Sequence, residues 1–567
     1  MVSSLVQIPK SAASLVADSG SQLALEELPA DQTSRGRLSP TEGERDAVAF
    51  KRGFAFWMVF AGNLMVDLPS ALDLTAVSTA LPTITSHLHG SDFIWAGSAY
   101  AIASTAILPT VGGLVSVFGR KPIILGFILL FALGSALCGA AQNMAMFIAG
   151  RLVQGLGGGG CIAVTEIIYA DLIPLPERGK FYAITASVWA LASAVGPPIG
   201  GAFSGSGAWR WLFFLNLPLC GIAFVLVSVF LHGHSPRDTL RNKIARMDWL
   251  GLAVVISSTV SVMMALTWAG VRYPWPSAHV LVPLCLGAVG LVLFFIMELY
   301  LKSIEEPTIP AFILKNRTTL SGYLGTFFHG IAAMALIYYL PVYFQASKLA
   351  SPVRSGLYMF GVAFTIPPFA ILMGVSAQVM RRYCPQNYIG WIITIAGFGL
   401  LSTLDENSTT ARIIGYQIFL GAGVGIIWIG TQFPILAPLP FSNNAHALAF
   451  FTFTRVFAQS WGTVMGGTIL QNTLQSRLPK AFIASLPHGT QLTYVIIPEV
   501  PKLAEPLKTE VRAAFARSTS TIWHVMIGIS GLGLLTCLLM REVPMRTSMD
   551  EKWGLEDRGK GAPDSKD

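Results

Sequence analysis

Charged residues are scarce in this sequence. Only 12% of the 567 residues are Asp, Glu, Lys or Arg, whereas 53% are hydrophobic, and the mean hydropathy is +0.60. A soluble globular domain carries about 25% charged residues. The composition therefore excludes a soluble globule and predicts a chain that crosses a membrane many times.

Residue patterns typical of enzymes and metal sites are also missing. The sequence has no HExxH, no GxSxG and no cluster of several histidines, and its six cysteines follow no regular spacing. A disulfide framework or a metal site would need such spacing. We therefore expect a protein that is not an enzyme, holds no metal and uses no cofactor.

A cleaved targeting signal is absent as well. Residues 1–52 are rich in Ser, Ala and charge but lack a basic start followed by an apolar core. This composition predicts a disordered cytosolic tail. The first apolar span must then direct the chain to the membrane.

Apolar runs of about 20 residues, each long enough to span a bilayer as a helix, recur fourteen times. Lys and Arg concentrate in every second loop, for example at Arg120, Lys121, Arg178 and Lys180. The positive-inside rule places those loops and both termini in the cytosol. The net charge of +8 thus reflects orientation in the lipid bilayer and does not indicate a nucleic-acid partner.

These runs predict a domain layout of six spans, two additional spans and six more spans. The segments are a tail at 1–52, an N-terminal six-helix half at 53–232, a basic linker at 233–248, two extra helices at 249–302, a C-terminal six-helix half at 303–541 with an external segment at 474–520, and a tail at 542–567. Within that external segment, residues 507–518 are expected to form a short amphipathic helix.

The most informative stretch, residues 150–201, contains charges inside an apolar helix. Arg151, Gln154 and Glu166 should face protein or water, because each charge at the bilayer centre costs about 2.5–3.5 kcal/mol. Fifteen positions at about 100° each bring Glu166 within roughly 60° of Arg151. We expect the two charges to share one wall at different depths.

The second helix of this hairpin carries a ladder of small residues. Ala192, Gly196 and Gly200 are spaced four apart and predict a groove in which another backbone packs closely. Pro197 removes a helical hydrogen bond and favours a kink. Gly201 follows the ladder directly.

Three motifs of this hairpin, RxxQGxG, DLxPLxERG and GPxxGG, together resemble the major facilitator superfamily, specifically its fungal-type 14-span drug:proton antiporters. The resemblance implies two six-helix halves that rock around a central cavity and export driven by a proton gradient. Ala183 and Ala192 stand where the long form of the GPxxGG motif has glycine, so the match is to its core.

Two further segments carry the resemblance. Gly112, Gly119, Arg120 and Lys121 match the family's GxxxDxxGRK turn, but Ser116 stands where the pattern has Asp, so its charge relay is absent or falls to another acid such as Glu177. In the first span, Asp73 matches the family's acidic position, which is implicated in proton coupling. We expect Asp73 to be the principal proton carrier, with Arg151 adjusting its affinity for the proton and Glu166 as the runner-up. For Asp67 we expect a polar contact with Asn63, one turn away.

Several sequence segments of the first half resemble segments of the second half, and they occur in the same order in both. This order predicts two halves related as parallel repeats. GGLVSVFGRK at 112–121 corresponds to GVSAQVMRRY at 374–383, and VGPPIGG corresponds to WGTVMGG, which places Gly462 and Gly466 opposite Gly196 and Gly200.

The remaining polar residues within spans are candidates for the substrate cavity. They are Tyr100, Gln154, His329, Tyr338, Gln345, Arg455 and Gln459. His329 can equally be a hydrogen-bonded packing residue, and Tyr100 an interfacial aromatic. Arg455 is the stronger candidate because a buried arginine must find a carboxylate, carbonyls or water.

Our interpretation is a proton-coupled exporter of amphipathic organic molecules, such as drugs, toxins or secondary metabolites. It is expected to act as a monomer in the cell membrane or the vacuolar membrane. An importer or a vacuolar transporter of a small organic solute on the same fold is the alternative. A sugar carrier would favour a cavity dense in Asn, Gln and Trp, whereas the cavity candidates here are sparse in amides.

The orientation can be tested at Asn407, which begins a glycosylation sequon in a loop expected to face outward. A cysteine introduced at position 407 should react with an impermeant reagent added outside intact cells. Labelling of this position only from the cytosolic side would overturn the predicted topology.

Overall fold

A computed structural model describes residues 53–88, 93–232, 239–270, 272–300, 307–440, 443–479, 482–483 and 496–545. Within these ranges the fold is all-helical, as predicted. Its fourteen principal helices are α1 (Phe54–His87), α2 (Phe93–Phe118), α3 (Arg120–Gly139), α4 (Met144–Leu172), α5 (Arg178–Gly205), α6 (Asn216–Phe230), α7 (Trp249–Trp268), α8 (Ala278–Tyr300), α9 (Arg317–Ala346), α10 (Ile366–Met380), α11 (Cys384–Ser402), α12 (Thr410–Gly430), α13 (Asn444–Arg477) and α14 (Leu507–Thr536). The predicted tail at 1–52 lies outside the described residues.

Short helices lie between these elements or extend them. Trp211–Phe214 leads into α6, Pro352–Tyr358 and Phe360–Ala363 lead into α10, and Gln432–Leu436 continues α12. Leu240–Ala245 and Ala311–Lys315 lie before α7 and α9. The helices therefore follow one another with few long connections.

Several helices begin at a residue whose side chain accepts a hydrogen bond from a free backbone N–H. Asn143 accepts from Met146 at 2.8 Å before α4, and Asp248 accepts from Gly251 at 2.8 Å before α7. Such N-caps fix where a helix starts. Beyond the caps, helical hydrogen bonds satisfy the backbone, which a bilayer requires.

Eleven of the described helical segments are long and apolar enough to cross a membrane. The helices α5, α11 and α13 contain 28, 19 and 34 residues and are not in that group. The chain is therefore a multi-span membrane protein. Fourteen spans and cytosolic termini stay predictions.

The first six and the last six helices pack in the same pattern, which confirms the predicted repeat. In the N-half (α1–α6), α4 packs on α2 and α3, and α5 packs on α1. In the C-half (α9–α14), α12 packs on α10 and α11, and α13 packs on α9. Even the turns correspond, since Gly119 and Arg381 both have positive φ, at 90° and 53°.

The small-residue ladder of α5 packs within the N-half, on α1. A Cβ atom on Gly196 would lie 2.0 Å from Oγ1 of Thr75, and Ala192 is buried beside it, accepting a hydrogen bond from the same hydroxyl at 3.4 Å. Gly200 is buried, whereas Gly201 has no neighbouring atom within 4 Å of an added Cβ. The helix continues through Pro197. The predicted close backbone approach is therefore real, and its partner is the helix that carries Asp73.

The equivalent ladder of α13 packs on α9. A Cβ atom on Gly462 would lie 2.3 Å from the carbonyl oxygen of Ile331, and one on Gly466 would lie 2.2 Å from the ring of Tyr339. Both ladders thus hold the fifth helix of a half against its first helix.

The two additional helices, α7 and α8, pack on each other, and α7 also contacts α2 and α13. Trp268 at the end of α7 meets Trp95 of α2 edge-to-face, with ring centroids 5.9 Å apart. In the following turn, Trp275 donates a hydrogen bond to Thr468 of α13 at 3.0 Å. The additional pair is therefore attached to both halves.

The last helix differs from the prediction of a separate amphipathic helix at 507–518. Those residues form the first turns of α14, which runs without a break to Thr536. The reason is local, because residues 507–527 contain neither Gly nor Pro and nothing interrupts the helical hydrogen bonds. The segment between α13 and α14 is correspondingly shorter than the predicted 474–520.

The two halves meet at the end of the bundle that holds the turns 119–121 and 177–180, which we call the basic end. There α5 crosses α10 so closely that a Cβ on Gly179 would lie 2.3 Å from Cα of Gly374. At such a crossing the two backbones touch directly, and no side chain fits between them.

The ladder of α5 yields a direct test. Gly196→Leu should displace α1 near Asp73, because overpacking a close-packed site costs about 1–3 kcal/mol. We expect strongly reduced export of a fluorescent amphipathic dye at unchanged membrane abundance. Gly205→Leu on the same helix is the matched control, since an added Cβ there meets no atom within 4 Å. Equal export by both variants would show that the ladder has no role in transport.

Candidate functional site

Asp73 of α1 and Arg151 of α4 form a buried ion pair. Arg151 Nη1 donates a hydrogen bond to Asp73 Oδ2, and neither side chain is more than 2% exposed. The same Nη1 donates to Gln154 Oε1 at 2.7 Å, and Gln154 Nε2 donates to Asp73 Oδ1 at 3.0 Å. A closed ring of three side chains therefore joins α1 to α4, and charge-assisted hydrogen bonds of this kind are among the strongest in proteins.

Polar side chains extend this ring toward α3 and α6. Gln154 Nε2 also donates to Ser135 Oγ at 2.9 Å, and Asn216 Nδ2 donates to the same hydroxyl at 3.3 Å. Gln154, expected to line a substrate cavity, is fully buried in this network. A small pocket reaches Asp73 from the side of α6, and it is lined by Leu72, Asp73, Ala76, Val77, Ile199, Leu212, Leu215 and Asn216.

The glycine run of α4 makes the ion pair possible, because it lets α2 and α3 approach without side chains in between. A Cβ on Gly157 would lie 2.3 Å from the backbone nitrogen of Phe131, and one on Gly158 would lie 2.2 Å from the hydroxyl oxygen of Tyr100. The guanidinium of Arg151 lies over the ring of Tyr100, 4.7 Å from its centroid. Tyr100 therefore belongs to the surroundings of the ion pair.

Glu166, fifteen residues after Arg151 on α4, faces the other half of the molecule. Its Oε1 lies 3.7 Å from Arg455 Nη1, and its Oε2 accepts a hydrogen bond from Thr452 at 3.1 Å. Arg455 also donates to the Trp428 carbonyl at 2.9 Å and lies over the Trp428 ring, 4.9 Å from its centroid. The carboxylate that Arg455 was expected to need is thus supplied by α4.

Asp67 does not make the expected polar contact with Asn63. Both amide atoms of Asn63 and Oδ1 of Asp67 are buried without a hydrogen-bond partner among the described residues. The prediction of an Asn63–Asp67 pair is therefore wrong.

The C-half candidates are spread over different environments. His329 is buried, its Nε2 lies 3.1 Å from the Val424 carbonyl, and its ring meets Trp428 edge-on. Tyr338 is 42% exposed, whereas Gln345 and Gln459 are half-buried. The structure does not bring these side chains together with the Asp73 ion pair.

At the basic end, the acid that meets Arg120 is one that sequence reasoning missed. Arg120 Nε donates to Asp171 Oδ2 at 2.8 Å, and Asp171 is the first residue of the DLxPLxERG motif. Ser116, in the position of the motif's missing acid, lies 3.3 Å from Nε2 of His446 on α13. A Cβ on Gly112 would lie 2.8 Å from Cα of His446, so α2 and α13 also meet here. Lys121, which follows Arg120 in the turn, is half-buried.

The loop with the glycosylation sequon is a tight, exposed turn. Asn407 is exposed, its backbone N–H donates to Asp405 Oδ1 at 3.0 Å, and the Ser408 hydroxyl donates to the same oxygen at 2.8 Å. The hydrogen bond from Ser408 is the main reason why the pKa of Asp405 lies below its usual value. The acceptor side chain of Asn407 is thus presented on a well-defined turn.

Comparison with known proteins agrees with this architecture. Residues 65–463 match the family described as Major Facilitator Superfamily. The chain is 35% identical to the efflux pump FUS6 of Gibberella fujikuroi, over 89% of this chain and 93% of that protein. It is 35% identical to the MFS-type efflux pump LUC4 of a Fusarium species, over 91% and 93%, and 36% identical to the MFS-type transporter pydD of an Acremonium species, over 93% of each.

Solved structures share the fold at low sequence identity. The human organic anion transporter MFSD10 superposes with a TM-score of 0.52 at 14% identity, over 84% of this chain and 99% of that one. The proton:xylose symporter XylE gives a TM-score of 0.54 at 13% identity, over 85% and 94%. Together, these similarities show that the chain is a membrane transporter and not an enzyme, and that it belongs to the Major Facilitator Superfamily, among its fungal efflux-type members.

Proposed function

We propose that this transporter exports amphipathic organic molecules, such as drugs, toxins or secondary metabolites, in exchange for protons. The observation that carries the proposal is the buried Asp73–Arg151 ion pair, a carboxylate held inside the membrane beside a small pocket. The names of the fungal relatives, which include two efflux pumps, support the outward direction.

In this proposal Asp73 is the principal proton carrier. An exchange cycle needs a carboxyl group that is ionised in one state and protonated in another. A guanidinium favours the ionised form, and burial disfavours it, so a change in the approach of Arg151 switches the preference. Gln154 holds both partners and would transmit such a change.

The positive-inside rule places the basic end in the cytosol. The conformation described here, with the halves in contact at that end, is then the one closed to the cytosol. Rocking of the halves would break the Glu166–Arg455 pair and the contacts of Ser116 and Gly179, and would open a path from the cytosol.

We further propose that the protein acts as a monomer in the cell membrane, that the proton gradient is its only energy source, and that Asn407 carries a glycan. Placement in the vacuolar membrane would give the same cycle with export into the vacuole. Import of a small organic solute is the alternative, and the direction of transport in vesicles separates the two.

Export and stability should depend on both the charge and the shape of the side chain at position 151. Arg151→Ala leaves Asp73 without its counter-charge, and removing one partner of a buried pair costs about 3–5 kcal/mol. We expect loss of dye export and a lower melting temperature. Arg151→Lys should restore only part of both, because an ammonium cannot reproduce the guanidinium's contacts with Asp73, Gln154 and Tyr100. Full recovery with Lys would mean that charge alone suffices.

The proton carrier can be tested in everted membrane vesicles. With Asp73→Asn, dye uptake driven by a pH gradient should vanish, because an amide carries no proton. Dye exchange without a gradient should persist in the protein that reaches the membrane, because the Asn side chain still accepts a hydrogen bond from Arg151. Glu499→Gln is the control, since the exposed ion pair of Glu499 with Lys502 contributes little. If gradient-driven uptake survives in Asp73→Asn and disappears in Glu166→Gln, the assignment to Asp73 is wrong.

A further inference from the structure

The guanidinium of Arg455, on α13, has few hydrogen-bonding partners for a charge inside the bundle. An arginine side chain carries five N–H donors in a fixed fork. Within the described ranges Arg455 donates a single hydrogen bond, from Nη2 to the Trp428 carbonyl at 2.9 Å, and its Nε is buried without a partner. Its Nη1 lies 3.7 Å from Glu166 Oε1, which is too long for a hydrogen bond. The ion pair with Glu166 therefore leaves most of these donors unused.

Two aromatic rings hold this guanidinium in place. It lies 4.9 Å from the centroid of the Trp428 ring and 4.3 Å from that of Phe451, and both distances are typical of cation–π contacts. The side chains of Arg455 and Glu166 are 12% and 13% exposed, so neither charge is fully sealed in the interior. The C-half thus presents a fixed, accessible cation with apolar surface beside it.

Where the halves meet around this cation, the C-half supplies hydrogen-bond donors and the N-half supplies acceptors. Thr452 donates to Glu166 Oε2 at 3.1 Å, and Gln432 Nε2 donates to the hydroxyl oxygen of Tyr182 on α5 at 3.0 Å. The Tyr182 hydroxyl lies 3.4 Å from the Glu166 carbonyl oxygen, so the two contacts adjoin. Three donor side chains of the C-half, counting Arg455, therefore face a carboxylate and a hydroxyl oxygen of the N-half.

Separation of the halves at the basic end takes these acceptors away. Thr452 retains the Leu448 carbonyl, 2.9 Å from its hydroxyl oxygen, whereas Arg455 loses its counter-charge and keeps only the neutral Trp428 carbonyl. A desolvated charge without its partner is costly. An anion that enters the opening removes this cost, because a carboxylate meets the fork of a guanidinium with two charge-assisted hydrogen bonds.

We propose that Arg455 binds the acidic group of the substrate, and that the substrates of this transporter are amphipathic organic anions. A substrate carboxylate takes the place that Glu166 occupies in the conformation described here, and Gln432 supplies a further donor. The apolar body of the substrate packs against the rings of Trp428 and Phe451. This assignment rests on the export of amphipathic molecules proposed above and narrows that class by charge.

Glu166 is then a competitor of the substrate that the protein itself carries. While the halves are apart at the basic end, the substrate anion binds Arg455. When they close again, Glu166 returns to Arg455, and a single guanidinium does not neutralise two carboxylates. The substrate is displaced toward the opposite end, so one contact both closes the transporter to the cytosol and releases the anion outward.

The charge preference can be measured by binding alone, without a transport assay. The probes are pyrenebutyrate and pyrenebutanamide, which share the same apolar body and differ in charge. Binding of each probe to the purified full-length protein is measured by equilibrium dialysis. We expect the wild-type protein to bind the carboxylate at least tenfold more tightly than the amide, because only the carboxylate forms charge-assisted hydrogen bonds with Arg455.

Three variants assign this preference to its residues. Arg455→Gln keeps a donor for the Trp428 carbonyl and should bring the two affinities within twofold of each other. Glu166→Gln removes the competitor and should tighten carboxylate binding several-fold without changing amide binding, a gain that structural damage does not produce. Arg354→Gln removes a positive charge from an exposed position and is the matched control, with the affinities of the wild type.

The contrary results separate this assignment from the proposed function. Equal affinity of the wild type for both probes, or a carboxylate preference that survives in Arg455→Gln, would overturn Arg455 as the anion site and leave the export of amphipathic molecules standing. Weaker carboxylate binding in Glu166→Gln would show that Glu166 is no competitor. Binding of neither probe would overturn the amphipathic substrate class as well. A normal preference in a protein that shows no gradient-driven export would remove only the proton coupling.

Discussion

The ion pair between Asp73 and Arg151 is the interaction on which the N-half depends, because a membrane interior does not tolerate either charge alone. The pair can form only if α1, α2 and α3 all pack tightly around α4. The glycine run of α4 provides this, since backbone atoms of Phe131 on α3 and Ser104 on α2 occupy the positions where side chains of 157 and 159 would lie, and the Tyr100 hydroxyl occupies that of 158. From the other side, the ladder of α5 holds α1 in place. The glycines are therefore needed to build the charged centre, and not only to pack helices.

One helix carries both charged contacts. Arg151 near the start of α4 binds an acid of the same half, whereas Glu166 near its end binds an arginine of the other half. The two residues lie on one continuous helix, Met144–Leu172. A rigid displacement of α4 at the first pair would therefore also move Glu166 at the second, fifteen residues away.

Much of this arrangement could be predicted from sequence because helical spacing and the cost of buried charge act locally. The fold, the repeat and the close packing of Gly196 followed from such rules. The hydrogen-bonding partners of the charged residues could not be predicted, since they depend on which helices become neighbours. Asp171 was overlooked as the partner of Arg120, and Thr452, which binds Glu166, belongs to no motif. Gln154 was assigned to a cavity, although it completes the ion pair. The predicted Asn63–Asp67 contact failed because spacing of four residues on a helix allows two side chains to bond but does not require it.

The position of α7 and α8 restricts where the bilayer can meet the interface between the halves. The pair lies against α2 and α13, where Trp268 and Trp275 attach it to one half each. A lipid-dissolved molecule that approached the α2–α13 boundary would first have to pass two more helices. The additional pair thus covers one side of the transporter. The two halves are related by near-twofold internal symmetry, but access to their interface from the membrane is not symmetric.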